Sequence, residues 1–200
     1  MVSIKSTAQT AQLTITLCDL DPGIWRRVLV PHDIALPDLH AVIQIAMGWD
    51  DSHMHSFTTK TAIYNTIDEN DFLGGAFPGV KKTLDETKYR LCDLLAKPKA
   101  KCVYTYDFGD SWEHDIVLEK LIPAEKRLAS AEVIAGENAC PPDDCGGPPG
   151  YCDLVEILLN PKDPEYADRR EWLGLKKGEK FDPERYDIAA ANKKLRRSKI

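Results

Sequence analysis

The sequence contains no long apolar run. No stretch approaches the roughly 20 apolar residues that a membrane-spanning helix needs, and the first residues, MVSIKSTAQTAQLTIT, lack the apolar segment of a secretory signal. We therefore expect a cytoplasmic protein with no membrane partner. In that compartment the six cysteines are expected to remain thiols or to bind metal rather than to form disulfides.

The sequence also lacks the common catalytic motifs. It has no G-x-S-x-G, no phosphate-binding loop, no G-x-G-x-x-G and no H-E-x-x-H. The triplet Asp107-Phe108-Gly109 matches the magnesium-binding triplet of protein kinases. However, the glycine-rich loop, the strand lysine and the His-Arg-Asp loop of kinases are absent, and the chain is too short for two kinase lobes. We interpret the triplet as the connection of a hairpin and leave open whether the protein is an enzyme.

An excess of positive charge is missing as well. The chain has 26 basic and 32 acidic residues, a net charge of −6, which disfavours non-specific binding to nucleic acid because such binding depends on neutralising phosphates. The basic end of the last predicted helix, NKKLRRSK, either complements the helix dipole or contacts phosphate. A nucleic-acid partner is thus disfavoured by charge, while a protein partner is allowed.

The hydrophobic pattern predicts an α+β fold. Strand-like alternation and helical spacing follow one another as strands, one helix, strands and then helices, without the regular alternation of a doubly wound fold. We expect a mostly antiparallel sheet with helices packed on one side, in a single domain. The predicted strands cover residues 11–18, 24–31, 53–64, 88–95, 101–108 and 111–122, and the predicted helices cover 36–49, 152–160, 164–174 and 182–200.

Three segments follow from this organisation. We expect a flexible N-terminus over residues 1–10, a single domain over 11–190 and a basic C-terminal tail over 191–200. Residues 65–83 are rich in Asn, Asp and Gly and predict a surface loop.

Two readings of the hairpin YDFGDSWEH are open. Along the second strand Trp112 and His114 share the apolar face, since side chains alternate, and Asp107 and Asp110 lie at the turn. In one interpretation His114 is a core histidine bonded to one of these aspartates, because a buried imidazole needs a partner. In the other, the aspartates and His114 form a metal or acid–base site.

Two further stretches contain metal-binding residue types. His53 and His55 are placed on one face of a strand by their spacing, where they could chelate one ion. Cys140 and Cys145 enclose an acidic pair, Asp143 and Asp144, but no second cysteine pair exists to complete a four-cysteine zinc site. The alternative for this second stretch is a rigid turn set by its prolines and glycines.

The strand IWRRVLVP contributes two arginines that point to opposite faces. One of them is expected to cover Trp25 or the sheet edge, and the other to pair with an acidic loop.

Taken together, the chain resembles the plasmid pRiA4b Orf-three-like family. The resemblance depends on an ordered set of motifs that covers about residues 12–187: IWRRVLVP, LPDLHAVIQIAMGW, HMHSF, YTYDFGDSWEH, CPPDDCGGPPGY and WLG…FDPERYD. It implies a small, soluble α+β protein found on plasmids and insertion elements. Some family names are borrowed from resolvases, but the chain has no resolvase catalytic domain or helix-turn-helix.

Because the polar clusters fall inside the shared motifs, we expect some of them to form one pocket. The candidate ligand pocket comprises Trp25, Arg27, Tyr106, Asp107, Asp110, Trp112, His114, Asp143, Asp144 and Tyr151. The candidate ligands of a divalent metal ion are His53, His55, Asp107, His114, Cys140 and Cys145.

Three functions are compatible with these features. The first is a binding or interaction module associated with plasmids or mobile elements. The second, kept as the alternative, is a metal-dependent hydrolase or nuclease with a His/Asp site. The third, DNA binding through the C-terminal helix, is the weakest because of the acidic net charge.

Overall fold

An eight-stranded sheet forms the frame of the protein. The computed structural model describes residues 8–66, 81–198 and 200, and within them the strands run in the order β5-β4-β3-β6-β7-β1-β2-β8. All neighbouring pairs are antiparallel except β4 and β5. The strands are β1 Ala8–Leu17, β2 Ile24–Pro31, β3 His55–Thr58, β4 Ala62–Asn65, β5 Lys82–Asp85, β6 Lys101–Tyr106, β7 Trp112–Ala124 and β8 Glu132–Glu137.

Five helices accompany this sheet over the described residues. They are α1 Leu36–Met47, α2 Leu91–Leu94, α3 Gly147–Leu159, α4 Tyr166–Trp172 and α5 Ile188–Ser198, with a 3-10 turn over Glu86–Lys88. The predicted α+β class, with a mostly antiparallel sheet, is confirmed. None of the helices over the described residues has the length and apolar character to cross a bilayer.

The core lies between the sheet and α1. Alternate residues of β1 are buried, including Leu13 and Ile15 at 0% exposure, as their two-residue period predicts. Leu39, Val42 and Ile43 pack against them from α1, where their helical spacing forms one apolar stripe. Burial of these side chains fixes which face of the sheet the helices cover.

Helix α1 begins and ends where the sequence indicates. Pro37 lies in its first turn and Gly48 ends it in the left-handed conformation, with φ of 114°, which glycine adopts without a steric penalty. Trp49 then turns back and is buried in the core.

Several predicted elements differ from the structure, and the helix expected over 152–160 already begins at Gly147. The segment expected as a strand over 88–95 contains α2, because Leu91 and Leu95 are buried at helical spacing and the side chain of Asp93 accepts a hydrogen bond from the Arg90 N–H at 2.8 Å. The strand expected over 53–64 is two short strands joined by a turn at Thr59, whose Oγ1 accepts from the Ala62 N–H at 3.1 Å.

The last helix starts later than predicted. Asp187, rather than Asp182, accepts a hydrogen bond in its first turn, from the Ala190 N–H at 2.9 Å. Asp182 instead accepts from the Glu184 N–H in a preceding turn.

The described residues overlap parts of the predicted N-terminal, loop and C-terminal segments. Residues 191–198 of the predicted basic tail belong to α5, which buries Ala191 and Leu195. Of the predicted N-terminal segment 1–10, residues 8–10 belong to β1 and the rest lie outside the described residues. Most of the loop predicted over 65–83 lies outside them as well.

Candidate functional site

Three loops from distant parts of the chain meet at one end of the sheet. They are the segment 49–54 after α1, the β6–β7 hairpin tip 107–111 and the segment 138–146 before α3. One hydrogen bond joins each pair of loops: Trp49 Nε1 to the Pro141 carbonyl at 2.9 Å, Asp107 N–H to the Met54 carbonyl at 2.9 Å, and Gly146 N–H to Asp110 Oδ2 at 3.1 Å. We call this junction the three-loop site.

The hairpin tip is held in an unusual backbone conformation. Asp107 and Ser111 have φ of 55° and 54°, a left-handed region that residues other than glycine adopt at a cost. Asp107 supports this geometry through Oδ1, which accepts from the Gly109 N–H at 2.9 Å and the Asp110 N–H at 3.3 Å. Its other carboxylate oxygen, Oδ2, is thereby turned towards His53.

His53 lies between two carboxylates. Its Nε2 is 3.3 Å from Asp144 Oδ1 and 3.7 Å from Asp107 Oδ2. This nitrogen is buried and makes no hydrogen bond of acceptable geometry to any described residue. Within the described part of the chain, the group of three or more potential metal ligands whose atoms all lie within 4.8 Å of one another is His53, Asp107 and Asp144.

Asp143 lies beside this group. Its Oδ1 is buried without a hydrogen-bond partner among the described residues. Burial raises the pKa of the Asp143 carboxyl, while the nearby Tyr106 hydroxyl and His53 lower it to a smaller extent. Burial also raises the pKa of Tyr106, to about 12, so this hydroxyl stays protonated at neutral pH and accepts a hydrogen bond from the Ser52 N–H at 3.1 Å.

Aromatic rings form the floor beneath these acids. The Trp49 ring packs against Tyr106 at a centroid distance of 4.8 Å and meets His114 edge-on at 5.3 Å. Trp112 is fully buried in the same layer. The predicted pocket residue Trp112 is therefore part of the support and not of an accessible wall.

His114 is a core histidine and does not reach the three-loop site. Its Nδ1–H donates to the carbonyls of Trp112 at 3.0 Å and Tyr104 at 3.3 Å, so its partners are backbone groups and not an aspartate. Burial lowers the pKa of His114 to about 4, and the imidazole is neutral at pH 7. Both sequence-based roles for His114, as a metal ligand and as the partner of an aspartate, are corrected by this arrangement.

His55 belongs to a different cluster. Its Nε2 lies 3.0 Å from Glu86 Oε2, and its ring stacks on His40 at 3.5 Å between centroids with an angle of 3°. Because β3 begins only at His55, the two-residue repeat of a strand does not extend to His53. The two histidines consequently bind different partners, and the expected chelating pair does not form.

Trp25 and Arg27 lie on the sheet face that the helices leave uncovered. Arg27 Nη2 contacts Glu119 Oε1 at 2.9 Å, and Trp25 Nε1 donates to Glu137 at 3.2 Å. This removes both residues from the predicted pocket. The alternation of β2 places the neighbouring Arg26 on the buried face instead.

Arg26 was not among the predicted site residues. It is fully buried and donates to the carbonyls of Ala46, Trp25, Glu137 and Asn138 at 2.6 to 3.0 Å. The available signal in the sequence was the alternation of β2, which places Arg26 on the buried face of the strand. Arg26 holds the segment 138–146 against the end of α1.

The two cysteines support the proline-rich loop. Burial raises the pKa of the Cys145 thiol to about 12 and that of the Cys140 thiol further. Tyr151 lies behind the same loop, and its hydroxyl donates to the Ala139 carbonyl at 3.3 Å. These three side chains pack against the core and stand outside the His53 group.

Comparison with known proteins identifies one family. A family model described as plasmid pRiA4b ORF-3-like protein matches residues 9–190. The chain is 36% identical over 186 residues to the protein named "Uncharacterized protein y4hQ" of Sinorhizobium fredii (strain NBRC 101917 / NGR234), an alignment that covers 92% of this chain and 87% of that protein.

A solved structure shares the fold. It is the crystal structure of a protein of unknown function, MM3350, from Methanosarcina mazei Go1, with a TM-score of 0.77 and 30% sequence identity. The match covers 92% of this chain and 98% of that one.

Proposed function

The chain belongs to the plasmid pRiA4b ORF-3-like family, and from this premise and the geometry of its three-loop site we propose that it is a binding module whose central ligand is a divalent metal ion. The names of these relatives assign no activity. The function is therefore inferred from the site itself. The family name supports, as a further part of the proposal, an association with plasmids or mobile elements.

The observation that carries the proposal is the placement of His53 Nε2 between two carboxylates. Ligand atoms about 2.0–2.2 Å from a tetrahedral metal ion are about 3.3–3.6 Å from one another. The two distances from Nε2, 3.3 and 3.7 Å, are close to this spacing. A buried nitrogen without a hydrogen bond, aimed at two acids, is the arrangement that an ion would complete.

The ligand types indicate which ions fit. One imidazole and two carboxylates suit zinc or manganese, and three protein ligands leave a position for an exchangeable group. Two exposed apolar side chains flank the ligands, Met54 at 71% and Phe108 at 47% exposure. Exposed apolar groups beside a ligand site offer contact surface to a bound partner, which favours a binding role.

Metal-dependent hydrolysis is the second candidate, and Asp143 is the observation that favours it. Its raised pKa and unpartnered oxygen are the properties of a carboxyl that could exchange a proton with a metal-bound water. A nuclease is less favoured than other hydrolases, since the acids of the three-loop site repel a polyanion.

Calorimetric titration of manganese into EDTA-treated protein tests the proposal. Manganese is chosen because it prefers oxygen and imidazole ligands over the six thiols. We expect one ion per chain, and the variants His53→Ala and Asp107→Asn should each weaken binding about tenfold or more. Asp38→Asn, the same chemical change at an exposed acid of α1, should bind like the wild type.

Two results would change the assignment. If no saturable binding is found up to about 1 mM manganese, His53 serves only as an ion-pair partner and the proposal is wrong. If the manganese-loaded protein turns over a simple ester or phosphodiester and Asp143→Asn abolishes the turnover, hydrolysis replaces binding as the function.

A further inference from the structure

A cavity of about 550 Å³ opens on one side of the three-loop site and shares two of its loops. Its walls come from the end of α1 at residues 47–50, from the segment 139–143, and from residues 173–186 before α5. This volume lies within the range of about 300–1,000 Å³ that is typical of small-molecule sites. The cavity is therefore large enough for a ligand of its own.

The charges on its walls are of opposite sign and are not paired with one another. Asp50 and Asp143 line it from two segments and Arg185 from the third. Among the described residues no carboxylate lies within 4.0 Å of the Arg185 guanidinium. Asp50 and Arg185 are exposed and Asp143 is half-buried, so a ligand in the cavity can reach charged side chains of both signs.

Aromatic rings complete the walls and are fixed in place. Trp49 is anchored by its bond to Pro141. The Tyr186 hydroxyl donates to the Ala46 carbonyl at 2.9 Å, and the Arg26 guanidinium stacks on one face of its ring at 3.5 Å. Rigid aromatic walls beside carboxylates suit a cationic group, which gains from both the acids and the ring faces. They also lower the ordering cost of binding, because the site is formed in advance.

We infer that this cavity binds a small zwitterion, of which a basic α-amino acid is the simplest form. The cationic side-chain group would lie against Asp50, Asp143 and the aromatic walls. The carboxylate would pair with Arg185, which no described acid neutralises. A purely anionic ligand would be repelled by Asp50 and Asp143, and a purely cationic one would leave Arg185 without a partner.

The inference does not depend on a metal at His53. Binding is therefore measured in the presence of EDTA, by calorimetry and by intrinsic tryptophan fluorescence. Three related ligands are compared. They are L-arginine, L-citrulline, in which a neutral group replaces the guanidinium, and agmatine, which lacks the carboxylate. We expect saturable binding of arginine, with citrulline and agmatine each weaker by about tenfold or more, because each leaves one charged wall without a partner.

Two variants assign the two ends of the ligand. Asp143→Asn should lower the affinity for arginine by about tenfold and leave the affinity for citrulline nearly unchanged. Arg185→Ala should lower the affinity for arginine to the affinity that the wild type has for agmatine. The affinity for agmatine itself should not change. Asp38→Asn and Arg197→Ala, which make the same changes at exposed positions of α1 and α5, should have no effect.

The ligand series on the wild-type protein keeps the inference testable even if a variant is unstable. Equal affinity for arginine and citrulline would overturn it, and so would the absence of saturable arginine binding up to about 10 mM. Arginine binding without manganese binding would uphold this inference and refute the proposed metal ligand. Manganese binding without arginine binding would uphold the metal ligand and refute this inference.

Discussion

At the scale of single residues, His114 makes the stability of the protein depend on pH. The ordinary pKa of the imidazole is 6.5, and burial lowers it to about 4 in the folded protein. Between these values the unfolded chain binds a proton that the folded chain does not. The free energy of unfolding should therefore fall as the pH decreases from about 6.5 to 4, and this contribution should level off below about 4.

The size of this effect can be measured on a variant. The difference between a pKa of 6.5 and one of about 4 corresponds to about 3 kcal/mol of free energy of unfolding lost across this window. Urea unfolding of the wild type and of His114→Gln at pH 7 and pH 4.5 separates this loss from the titration of other groups. The variant should lose about 2 kcal/mol less than the wild type between these two pH values; an equal loss in both proteins would show that His114 does not titrate as described.

At the scale of elements, the periodicity of the sequence predicted which face of a strand or helix is buried better than it predicted where each element begins and ends. The β1–β2 hairpin and α1 follow from the alternation of Leu13 and Ile15 and from the helical spacing that ends at Gly48. The segment 53–64 is two short strands instead of one, and the segment 88–95 contains a helical turn where a strand was predicted. The helical turn in 88–95 is stabilised by tertiary burial of Leu91 and Leu95, which no local pattern contains.

The candidate site, too, could be predicted from the sequence only in part, because tertiary contacts decide which side chains meet. Asp107, Asp144 and His53 lie close together, and Asp110 bonds to the loop that carries Asp144; that they form one functional site stays a prediction. The choice of His53 over His55 depends on where β3 begins, and the neutral, inward-facing His114 depends on which carbonyls surround it. A sequence shows residue types and spacing but not the atom that ends nearest to a given imidazole.

The contact between the hairpin tip and α3 should control the metal ligands. Gly147 begins α3 with φ of 69°, and a Cβ there would lie 2.7 Å from the Asp110 carbonyl oxygen. Gly147→Ala should push the tip away from α3, separate Asp107 from Asp144 and weaken manganese binding about tenfold or more. Calorimetry and thermal melting measure the affinity and the stability together.

Gly174 offers a closely matched control for this variant. Its φ is 64°, and a Cβ at that position meets no atom within 4 Å. Gly174→Ala therefore has the same backbone strain, about 1–3 kcal/mol, without the steric contact. If both variants lose the same manganese affinity, the loss comes from reduced stability and not from a displaced hairpin tip.

At the scale of the whole molecule, the three-loop site depends on the complete sheet. His53 precedes β3, Asp107 follows β6, and Asp144 lies between β8 and α3, so their proximity requires the order of strands that places β3, β6 and β7 side by side. These residues are far apart in sequence, so the unfolded chain does not bring them together. An ion at this site should consequently bind the folded chain and have little affinity for the unfolded one.

This selectivity predicts a rise in melting temperature. An ion present at 100 times its dissociation constant stabilises a folded protein by about 2.7 kcal/mol, which for a chain of this size corresponds to about 5–10 °C. Manganese should shift the single thermal transition upward by this amount, and EDTA should reverse the shift. His53→Ala should melt at a temperature that manganese changes by less than about 2 °C. A rise of equal size in His53→Ala would place the ion elsewhere in the molecule, and the proposed ligand set would then be wrong.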